Sequence, residues 1–336
     1  MRLNFVTSSL LSLSFAVIAN AKDTQNTRLP LPNLGADRSS LTVSGLSSGG
    51  AMAIQYGVAF ASKVKGVGVI AAPPYFCAKN NLMTAMGECM KGEPDVQSLY
   101  QSALVHQAQD GIDDFSYLSK QLIWLFSGKK DTTVLPSVMN TTAQFYQGVT
   151  PENQIKYVNF LPAGHAFVTE NFGHTCQETK SPFINNCGYD SAKEMLSWFY
   201  GPLNDYKQGA IKEPELFDQR PYLESSAGLD DYGYVFIPKA CRFNPGCKVH
   251  VAFHGCNQSR DKISAIFASN TELNLWADTN NIIVLYPQVK QTEANPFSCW
   301  DWWGYTGSDY SVKSGPQLKS VNKMIESLFL NVDNIE

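Results

Sequence analysis

The side chains best suited to chemistry lie in a short run of serines and glycines near the start of the chain. Gly45, Ser47 and Gly49 match the pattern Gly-x-Ser-x-Gly, in which a serine lies on a sharp turn between a strand and a helix. Such a turn leaves room only for very small residues at the positions two before and two after the serine. Ser47 has glycine on both sides at this spacing, whereas Ser48 has Leu46 on one side. The pattern predicts Ser47 as a nucleophile; an ordinary Gly/Ser loop is the alternative.

A serine nucleophile needs a base and a carboxylate that orients the base, and the chain supplies both in the expected order. Asp131 directly follows an apolar run, 121–127, that predicts a strand. His165 follows a second predicted strand, 155–161. Open α/β sheets form their sites at the carboxyl ends of the strands, so we expect both side chains to meet Ser47 there. The spacing predicts a triad of Ser47, Asp131 and His165.

Two other histidines are alternatives for the base. His174 is close in sequence, but it follows no predicted strand and Cys176 lies beside it. His254 lies in a His-Gly loop, where a histidine more often braces the loop by hydrogen bonds. We therefore prefer His165.

An acyl-transfer site also needs two backbone N–H groups directed at the oxyanion. The first is expected from Ser48, the residue after the nucleophile. The second commonly comes from a His-Gly loop after an early strand. Here that loop, His254-Gly255-Cys256, follows a predicted strand at 248–253, late in the chain. The N–H of Cys256 is the second candidate.

The elements that must position these residues predict an α/β fold. Continuous apolar strands alternate with helical patterns, which is typical of a mainly parallel central sheet covered by helices on both faces. The segment 206–231 is polar and is expected to be a surface connection. Further strands are predicted at 64–72, 233–238 and 282–286, and helices at 136–147, 191–200, 263–279 and 317–330.

The order of these elements differs from the usual α/β-hydrolase order, in which the oxyanion strand precedes the nucleophile. Here the oxyanion strand and its neighbours follow it. The simplest explanation is a circularly permuted α/β-hydrolase, because chain ends in a domain are often close together. Two tandem half-domains are the alternative, but neither half would have a complete core.

Composition excludes several other classes of protein. The chain has 336 residues, a net charge of −4 and no basic run of the kind that binds nucleic acid. Residues 1–21 combine a basic start, an apolar run and a small-x-small site at Ala19-Asn20-Ala21, which is typical of a secretory signal peptide. No run is long enough to span a membrane. We expect residues 22–336 to form a single catalytic domain, exported to the periplasm or the medium and monomeric.

Cysteine usage agrees with export. Eight cysteines follow the predicted signal peptide, and an oxidising compartment favours disulfides. No Cys-x-x-Cys occurs, so we expect no metal, and nothing indicates a cofactor. Closeness in sequence predicts the pairs Cys77–Cys89, Cys176–Cys187, Cys241–Cys247 and Cys256–Cys299, although eight cysteines allow many other pairings.

These motifs resemble the polyhydroxybutyrate (PHB) depolymerase family of esterases, most closely its single-domain, circularly permuted type known from secreted fungal enzymes. The resemblance implies the same triad and the same oxyanion hole. It also implies that an aromatic residue of the 300–303 loop lines the substrate crevice, with Trp302 as first choice and Trp303 as second. The matching segments are 45–53, 128–131, 163–165, 253–258, 285–288 and 299–303.

We expect no counterpart of the separate polymer-adsorbing domain that many bacterial depolymerases carry, so exposed aromatics are candidates for binding the polymer. Ordinary packing is the alternative for each of them. The candidates are Tyr75, Phe76, Trp302, Trp303 and Tyr305.

The sequence thus predicts a secreted serine esterase that cleaves poly(3-hydroxybutyrate)-type polyester or its oligomers through an acyl-enzyme. One alternative is an esterase for other substrates, such as acetyl or feruloyl groups on polysaccharide or small soluble esters, on the same fold and triad. A non-catalytic, hydrolase-like protein that binds a polymer is the other.

Overall fold

The computed structural model describes residues 29–206 and 213–331, and the predicted signal peptide lies outside these residues. The described strands are β1 (Thr42–Leu46), β2 (Gly66–Ile70), β3 (Leu122–Phe126), β4 (Ile155–Val158), β5 (Phe167–Thr169), β6 (His174–Thr175), β7 (Ile184–Asn186), β8 (Glu215–Asp218), β9 (Tyr232–Phe236), β10 (Lys248–Phe253) and β11 (Ile282–Tyr286). The described helices are α1 (Ser48–Ala59), α2 (Leu82–Met86), α3 (Glu88–Lys91), α4 (Val96–Ala108), α5 (Pro136–Gln147), α6 (Ser191–Tyr200), α7 (Arg260–Ile263), α8 (Ile266–Asn270), α9 (Leu273–Thr279) and α10 (Pro316–Leu328).

Eight of these strands form one central sheet in the order β4-β3-β2-β1-β10-β11-β9-β8. The pairs from β4 to β11 are parallel, and β9 and β8 are antiparallel at one edge. Strand β1, which precedes Ser47, lies at the centre beside β10, which precedes the His-Gly loop. The mainly parallel α/β sheet predicted from the sequence is confirmed.

Alternate side chains of the strands enter two separate hydrophobic cores, one on each face of the sheet. Val43 and Val67 pack in the core that includes α1 and α10. Trp124 and Phe126 pack in the opposite core, with residues of α6 and α9. Helices therefore cover both faces, as expected for a parallel sheet.

The first and last described segments of the chain lie together. Gly35 N–H donates to Leu330 O (2.8 Å) and Ala36 N–H donates to Leu328 O (3.0 Å). Asp37 N–H donates to Cys247 O (2.9 Å), directly before β10 begins. Both segments thus meet at the amino end of β1 and β10, opposite the end where Ser47 follows β1.

Three expectations about elements need correction. The helix expected over 263–279 is broken into separate short helices, because Ser264 and Glu272 adopt positive φ of 54° and 63°. The segment 206–231 is more than a surface connection, since it contributes β8 to the sheet. The strand expected over 155–161 ends at Val158.

All eight cysteines form disulfides, in the pairs expected from their closeness in sequence. Two of the bridges staple loops next to the ends of the central strands, and these are the loops that carry the candidate site. Such bridges indicate an oxidising compartment. The pairs are Cys77–Cys89, Cys176–Cys187, Cys241–Cys247 and Cys256–Cys299.

A buried histidine joins the two central strands from within the core. His250 Nδ1 lies 2.7 Å from Thr42 Oγ1 and Nε2 lies 2.8 Å from Ser44 Oγ, so β10 is tied to β1 through both ring nitrogens. The Thr42 hydroxyl is also 2.6 Å from the hydroxyl of Tyr200 on α6. Burial lowers the pKa of His250 to about 3, so the ring stays neutral in the folded protein.

We expect His250 to make the fold less stable as the pH falls. Between the ordinary histidine pKa of about 6.5 and the folded value of about 3, the unfolded chain binds a proton that the folded chain does not, so acid favours unfolding. Between pH 7 and 4.5 this residue should lower the free energy of unfolding by on the order of 3 kcal/mol. Urea unfolding of wild type and His250→Gln at both pH values measures the difference.

The variant should lose less stability than wild type over this range, even if it is less stable at pH 7. His174→Gln, a change in a less buried histidine on β6, is the matched control. Equal acid-induced losses in wild type and His250→Gln would contradict this role for the buried ring.

Candidate active site

Ser47 lies at the junction between β1 and α1, the position that the Gly-x-Ser-x-Gly pattern predicts. Its backbone adopts φ 58° and ψ −122°, in the region that residues with side chains rarely occupy. The Ser47 amide donates to Ile70 O (2.8 Å) at the end of β2, and its carbonyl accepts the first helical hydrogen bond, from Ala51 N–H (2.9 Å). The turn thus holds the hydroxyl at the carboxyl end of the sheet.

The glycines around this turn are required by close contacts. A Cβ on Gly45 would lie 2.2 Å from Gly49 O, so the strand and the helix could not approach as they do. A Cβ on Gly49 would lie 2.3 Å from Phe253 O, at the end of β10. The two glycines therefore let α1 start directly against both central strands.

Asp131 and His165 form a buried hydrogen-bonded pair. His165 Nδ1–H donates to Asp131 Oδ2 (2.7 Å). The other carboxylate oxygen, Oδ1, accepts the N–H groups of Thr133 (2.8 Å) and Val134 (3.0 Å), which fixes the carboxylate plane. Because Nδ1 is occupied, Nε2 is the ring nitrogen that remains for a proton transfer.

The two loops that carry this pair are joined along their backbones. Lys129 N–H donates to Leu161 O (2.9 Å) and Lys130 N–H donates to Ala163 O (3.0 Å). On its far side, the loop of the histidine is held by His165 N–H, which donates to Thr179 Oγ1 (2.9 Å). The position of His165 is thus set from both sides.

Ser47 and His165 line the same cavity, but the hydrogen bond between them that the predicted triad requires is not formed. Within residues 29–206 and 213–331, no hydrogen bond joins the Ser47 hydroxyl to the imidazole. The alternative base, His174, lies outside this lining, and its Nε2–H donates to Ser181 O (2.8 Å). His165 is therefore the histidine that lines the same cavity as Ser47.

Two backbone amides next to Ser47 lack a protein acceptor among the described residues. One belongs to Ser48, the first residue of α1, where the positive end of the helix dipole also favours negative charge. The other belongs to Cys256 in the His-Gly loop. Both residues line the cavity beside Ser47, as an oxyanion hole requires.

His254 braces the His-Gly loop from inside. Its Nδ1–H donates to Gly255 O (2.7 Å), while Nε2 accepts from Val289 N–H (3.2 Å). Burial lowers the pKa of His254 to about 4, which keeps the ring neutral with one donor and one acceptor nitrogen. His254 is thus committed to the loop and does not face Ser47 as a base.

The cavity at this end of the sheet has a volume of about 450 Å³, within the usual range for small-molecule sites. Its floor holds the polar groups described above, and most of its walls are apolar. Two disulfide-held segments contribute much of this lining: the short helices α2 and α3, stapled by Cys77–Cys89, and the 294–303 segment, held by Cys256–Cys299. The apolar wall residues include Leu82, Met86, Met90, Val134, Phe183, Pro296, Phe297, Trp302 and Trp303.

The structure separates the five candidate aromatics into two groups, and Phe76 falls in the group outside the cavity lining, where it stacks on Tyr310. Trp302 and Trp303 line the cavity. The prediction for Tyr75 is wrong, because this side chain is 1% exposed in the core, with its hydroxyl 3.1 Å from Ser311 O. Tyr305 also lies away from the cavity lining, and its hydroxyl donates to Cys299 O (2.8 Å).

Sequence reasoning missed several wall residues. Leu82, Met86 and Phe297 line the cavity, and each is more than half exposed. Gln258 was noted only as part of a matching motif, yet it is buried at the cavity wall. An apolar residue left exposed on a short helix is the one signal that could have indicated Leu82 and Met86.

Within the described residues, no cluster of three or more histidine, cysteine, aspartate or glutamate side chains could hold a metal ion. The same part of the chain contains no helix long and apolar enough to cross a bilayer.

Comparisons with known proteins place the chain in a family. Residues 233–329 match the family model described as Esterase PHB depolymerase. A poly(3-hydroxybutyrate) depolymerase of Delftia acidovorans is 37% identical over 88% of this chain, which spans 61% of that relative's length. A polyhydroxybutyrate depolymerase of Talaromyces funiculosus is 35% identical over 89% of this chain and 92% of that relative.

Solved structures show the same similarity. A PHB depolymerase variant complexed with an R3HB trimer superposes with a TM-score of 0.84 at 33% identity, covering 91% of this chain and all of that one. The PHB depolymerase of Penicillium funiculosum gives a TM-score of 0.82, also at 33% identity. With the sheet, the cavity and the sequence similarity in agreement, the chain belongs to the polyhydroxybutyrate depolymerase family of esterases.

Proposed function

We propose that this protein is a secreted serine esterase that hydrolyses poly(3-hydroxybutyrate)-type polyester or its oligomers through an acyl-enzyme. The observation that carries the proposal is the buried Asp131–His165 hydrogen bond, at the wall of the cavity that Ser47 also lines. Asp131 fixes the imidazole with Nδ1 protonated, which leaves Nε2 as the base for the serine.

In the first half of the reaction, Ser47 attacks the ester carbonyl while His165 Nε2 accepts its proton. The link between them is open in the free protein, and such hydrogen bonds often tighten only when substrate is bound. The carbonyl oxygen becomes an oxyanion, which the N–H groups of Ser48 and Cys256 stabilise. Asp131 stabilises the imidazolium that forms.

In the second half, His165 returns the proton to the leaving alcohol and the acyl-enzyme forms on Ser47. A water molecule, deprotonated by His165, then attacks the same carbonyl. The bond from this carbonyl to Ser47 Oγ breaks, His165 returns the proton to Ser47, and the released product is a hydroxy acid or a shorter oligomer. The two amides serve both tetrahedral intermediates because neither has another partner in the described protein.

The cavity favours a short apolar ester chain over a charged or strongly polar substrate. Its walls carry Trp302, Trp303, Met86 and Phe297, and most of its surface is apolar. A relative with the same fold has been solved with an R3HB trimer. We propose that this chain takes oligomers of similar size, with Trp302 and Trp303 as the aromatic wall.

We further propose that residues 22–336 form a single exported domain and that the fold is a circular permutation of the α/β-hydrolase. If the strands of the central sheet are renumbered in chain order from β8, with β1 following β11, their spatial order across the sheet becomes 1-2-4-3-5-6-7-8. In addition, the first and last described segments are hydrogen-bonded to each other. These two observations support a permutation. If the first and last segments were joined to each other and the chain were cut before β8, the same sheet would have the usual chain order.

A substrate panel tests the proposed function. Purified protein is incubated with poly(3-hydroxybutyrate) film, with a 3-hydroxybutyrate trimer, with acetylated xylan and with p-nitrophenyl butyrate. We expect release of 3-hydroxybutyrate from film or trimer, some hydrolysis of the small ester and no deacetylation of xylan. A fluorophosphonate should label one serine, identified as Ser47 by peptide mapping.

The outcomes separate the alternatives. Deacetylation of xylan without attack on the polyester would replace the proposed substrate while leaving the triad intact. No labelling and no hydrolysis of any ester would instead support a non-catalytic binding protein and overturn the proposal.

A further inference from the structure

Several polar backbone groups of the His-Gly loop are paired. Gly255 N–H donates to Gln258 Oε1 (2.7 Å), and Gly255 O accepts from His254 Nδ1–H. Asn257 N–H donates to Phe297 O (2.7 Å) in the segment joined to this loop by Cys256–Cys299. The amide of Cys256 lies between these fixed groups without an acceptor among the described residues.

The direction of that free amide follows from the pairing of its neighbour. In a trans peptide the C=O and the N–H lie in one plane and point in opposite directions, so the Gly255 carbonyl and the Cys256 N–H point away from each other. The carbonyl is held against His254, away from the cavity. A Cβ on Gly255 would lie 3.5 Å from Ser47 Cβ, so this plane lies directly against the nucleophile turn.

Gln258 holds the peptide group directly before this one, His254–Gly255, and connects it to the segment that carries Pro182 and Phe183. Its Oε1 accepts from Gly255 N–H, while its Nε2 donates to Pro182 O (2.7 Å) and to Phe183 O (3.2 Å). The side chain is fully buried, so no water replaces these bonds. An unpaired buried amide would be costly, which fixes this rotamer.

Pro182 and Phe183 belong to the segment between Cys176 and Cys187, which also supports the catalytic histidine. Gly164 N–H donates to Cys176 O (2.8 Å), and His165 N–H donates to Thr179 Oγ1. One disulfide-bonded segment therefore contacts the loop of the base directly and the loop of the oxyanion donor through Gln258.

We propose that Gln258 is a positioning residue for the oxyanion hole: it fixes the orientation of the His254–Gly255 peptide, and thereby that of the next peptide, so that the Cys256 N–H is in register with His165. The inference rests on the proposed esterase reaction. It concerns the transition state, because the Cys256 amide binds strongly only to the oxyanion.

The first test compares two buried glutamines with the same bonding pattern. Gln219 lies outside the cavity lining; its Nε2 donates to the carbonyls of Asp230 (2.6 Å) and Gln288 (3.1 Å), and its Oε1 accepts from Gln288 N–H (3.0 Å). Gln258→Met and Gln219→Met remove equal sets of hydrogen bonds at similar volume. Kinetics on p-nitrophenyl butyrate are normalised to active sites counted by fluorophosphonate labelling at completion.

We expect Gln258→Met to lower kcat by about 10- to 100-fold with KM changed less than about 3-fold, since losing one oxyanion donor entirely costs about 100- to 1,000-fold. Gln219→Met should keep kcat per active site close to wild type. Equal kcat values for the two variants, or a Gln258→Met effect confined to KM, would overturn the inference.

A second variant keeps the test decisive if Gln258→Met does not fold. In the Gln258→Glu variant, one carboxyl oxygen can still accept from Gly255 N–H. The other oxygen faces the carbonyl oxygens of Pro182 and Phe183, which is unfavourable when the carboxylate is ionised. Protonation restores a donor toward Pro182 O. The ratio of kcat for Gln258→Glu to that of wild type should therefore rise at least about 5-fold as the pH falls from 8 to 5.5.

In Gln219→Glu the new carboxylate also faces two carbonyl oxygens, those of Asp230 and Gln288. Because this carboxylate lies outside the cavity lining, the kcat per active site of the variant relative to wild type should not rise as the pH falls. A flat ratio for Gln258→Glu, with active sites intact, would overturn the inference while leaving the proposed function standing. The proposed function itself fails only if wild type neither hydrolyses esters nor reacts with the fluorophosphonate.

Discussion

Ser47→Ala is expected to abolish ester hydrolysis, with kcat reduced by about 10⁵- to 10⁶-fold relative to wild type. The variant keeps the strained turn, both free amides and the cavity, so substrate binding should survive. What it loses is the covalent route, because no other hydroxyl in the cavity replaces the atom that forms the acyl-enzyme. Release of acid from p-nitrophenyl butyrate and from a 3-hydroxybutyrate trimer measures the loss.

Ser48→Ala is the matched control for this experiment. The Ser48 hydroxyl accepts from Trp300 N–H (3.3 Å) and does not need to react, whereas its backbone amide is unchanged by the substitution. We expect kcat within about 10-fold of wild type, in line with the loss of one weak buried hydrogen bond. A larger loss in Ser48→Ala than in Ser47→Ala would reassign the nucleophile.

Asp131→Asn is expected to lower kcat by about 10⁴-fold without unfolding the protein. In the native site Oδ1 accepts two backbone amides, from Thr133 and Val134. The asparagine oxygen must remain there, so its NH₂ group faces His165 Nδ1. That nitrogen then has to accept, and the proton moves to Nε2, which can no longer take the proton of Ser47.

The readout separates this tautomer effect from a folding defect. Asp113→Asn is the matched control, since Asp113 also accepts a backbone amide, from Ser62 (2.9 Å), and lies outside the cavity lining. Thermal unfolding and fluorophosphonate reactivity of both variants accompany the kinetics. If Asp131→Asn retained a tenth of wild-type kcat, the proposed role of Asp131 would have to be abandoned.

Much of the central architecture could be predicted because it depends on local patterns. The pattern around Ser47 is a steric requirement within five residues, and the contact of Gly45 with Gly49 O shows the requirement directly. The order of strands and loops placed Asp131 and His165 at the same edge of the sheet, because parallel strands end at one edge. Closeness in sequence was enough for the disulfides, since three of the four bridges close loops of 12 residues or fewer.

The features that escaped prediction depend on contacts between distant segments. Ser264 and Glu272 interrupt a helical pattern through positive φ, which no local composition signal requires. Tyr75 follows β2 like a site residue, yet its ring turns into the core. The position of Gln258 is set by carbonyls about 75 residues earlier in the chain, at Pro182 and Phe183. Such pairings become visible only when the loops are assembled.

The hydrogen bond that joins Gly35 to Leu330 places the beginning and the end of the described fold near the amino ends of the central strands, opposite the strand ends that carry Ser47. A bead, carrier or affinity handle coupled at either place would therefore attach the molecule through the end of the sheet opposite the cavity. In that orientation the cavity mouth faces outward, so an immobilised enzyme should remain accessible to a solid surface presented to it.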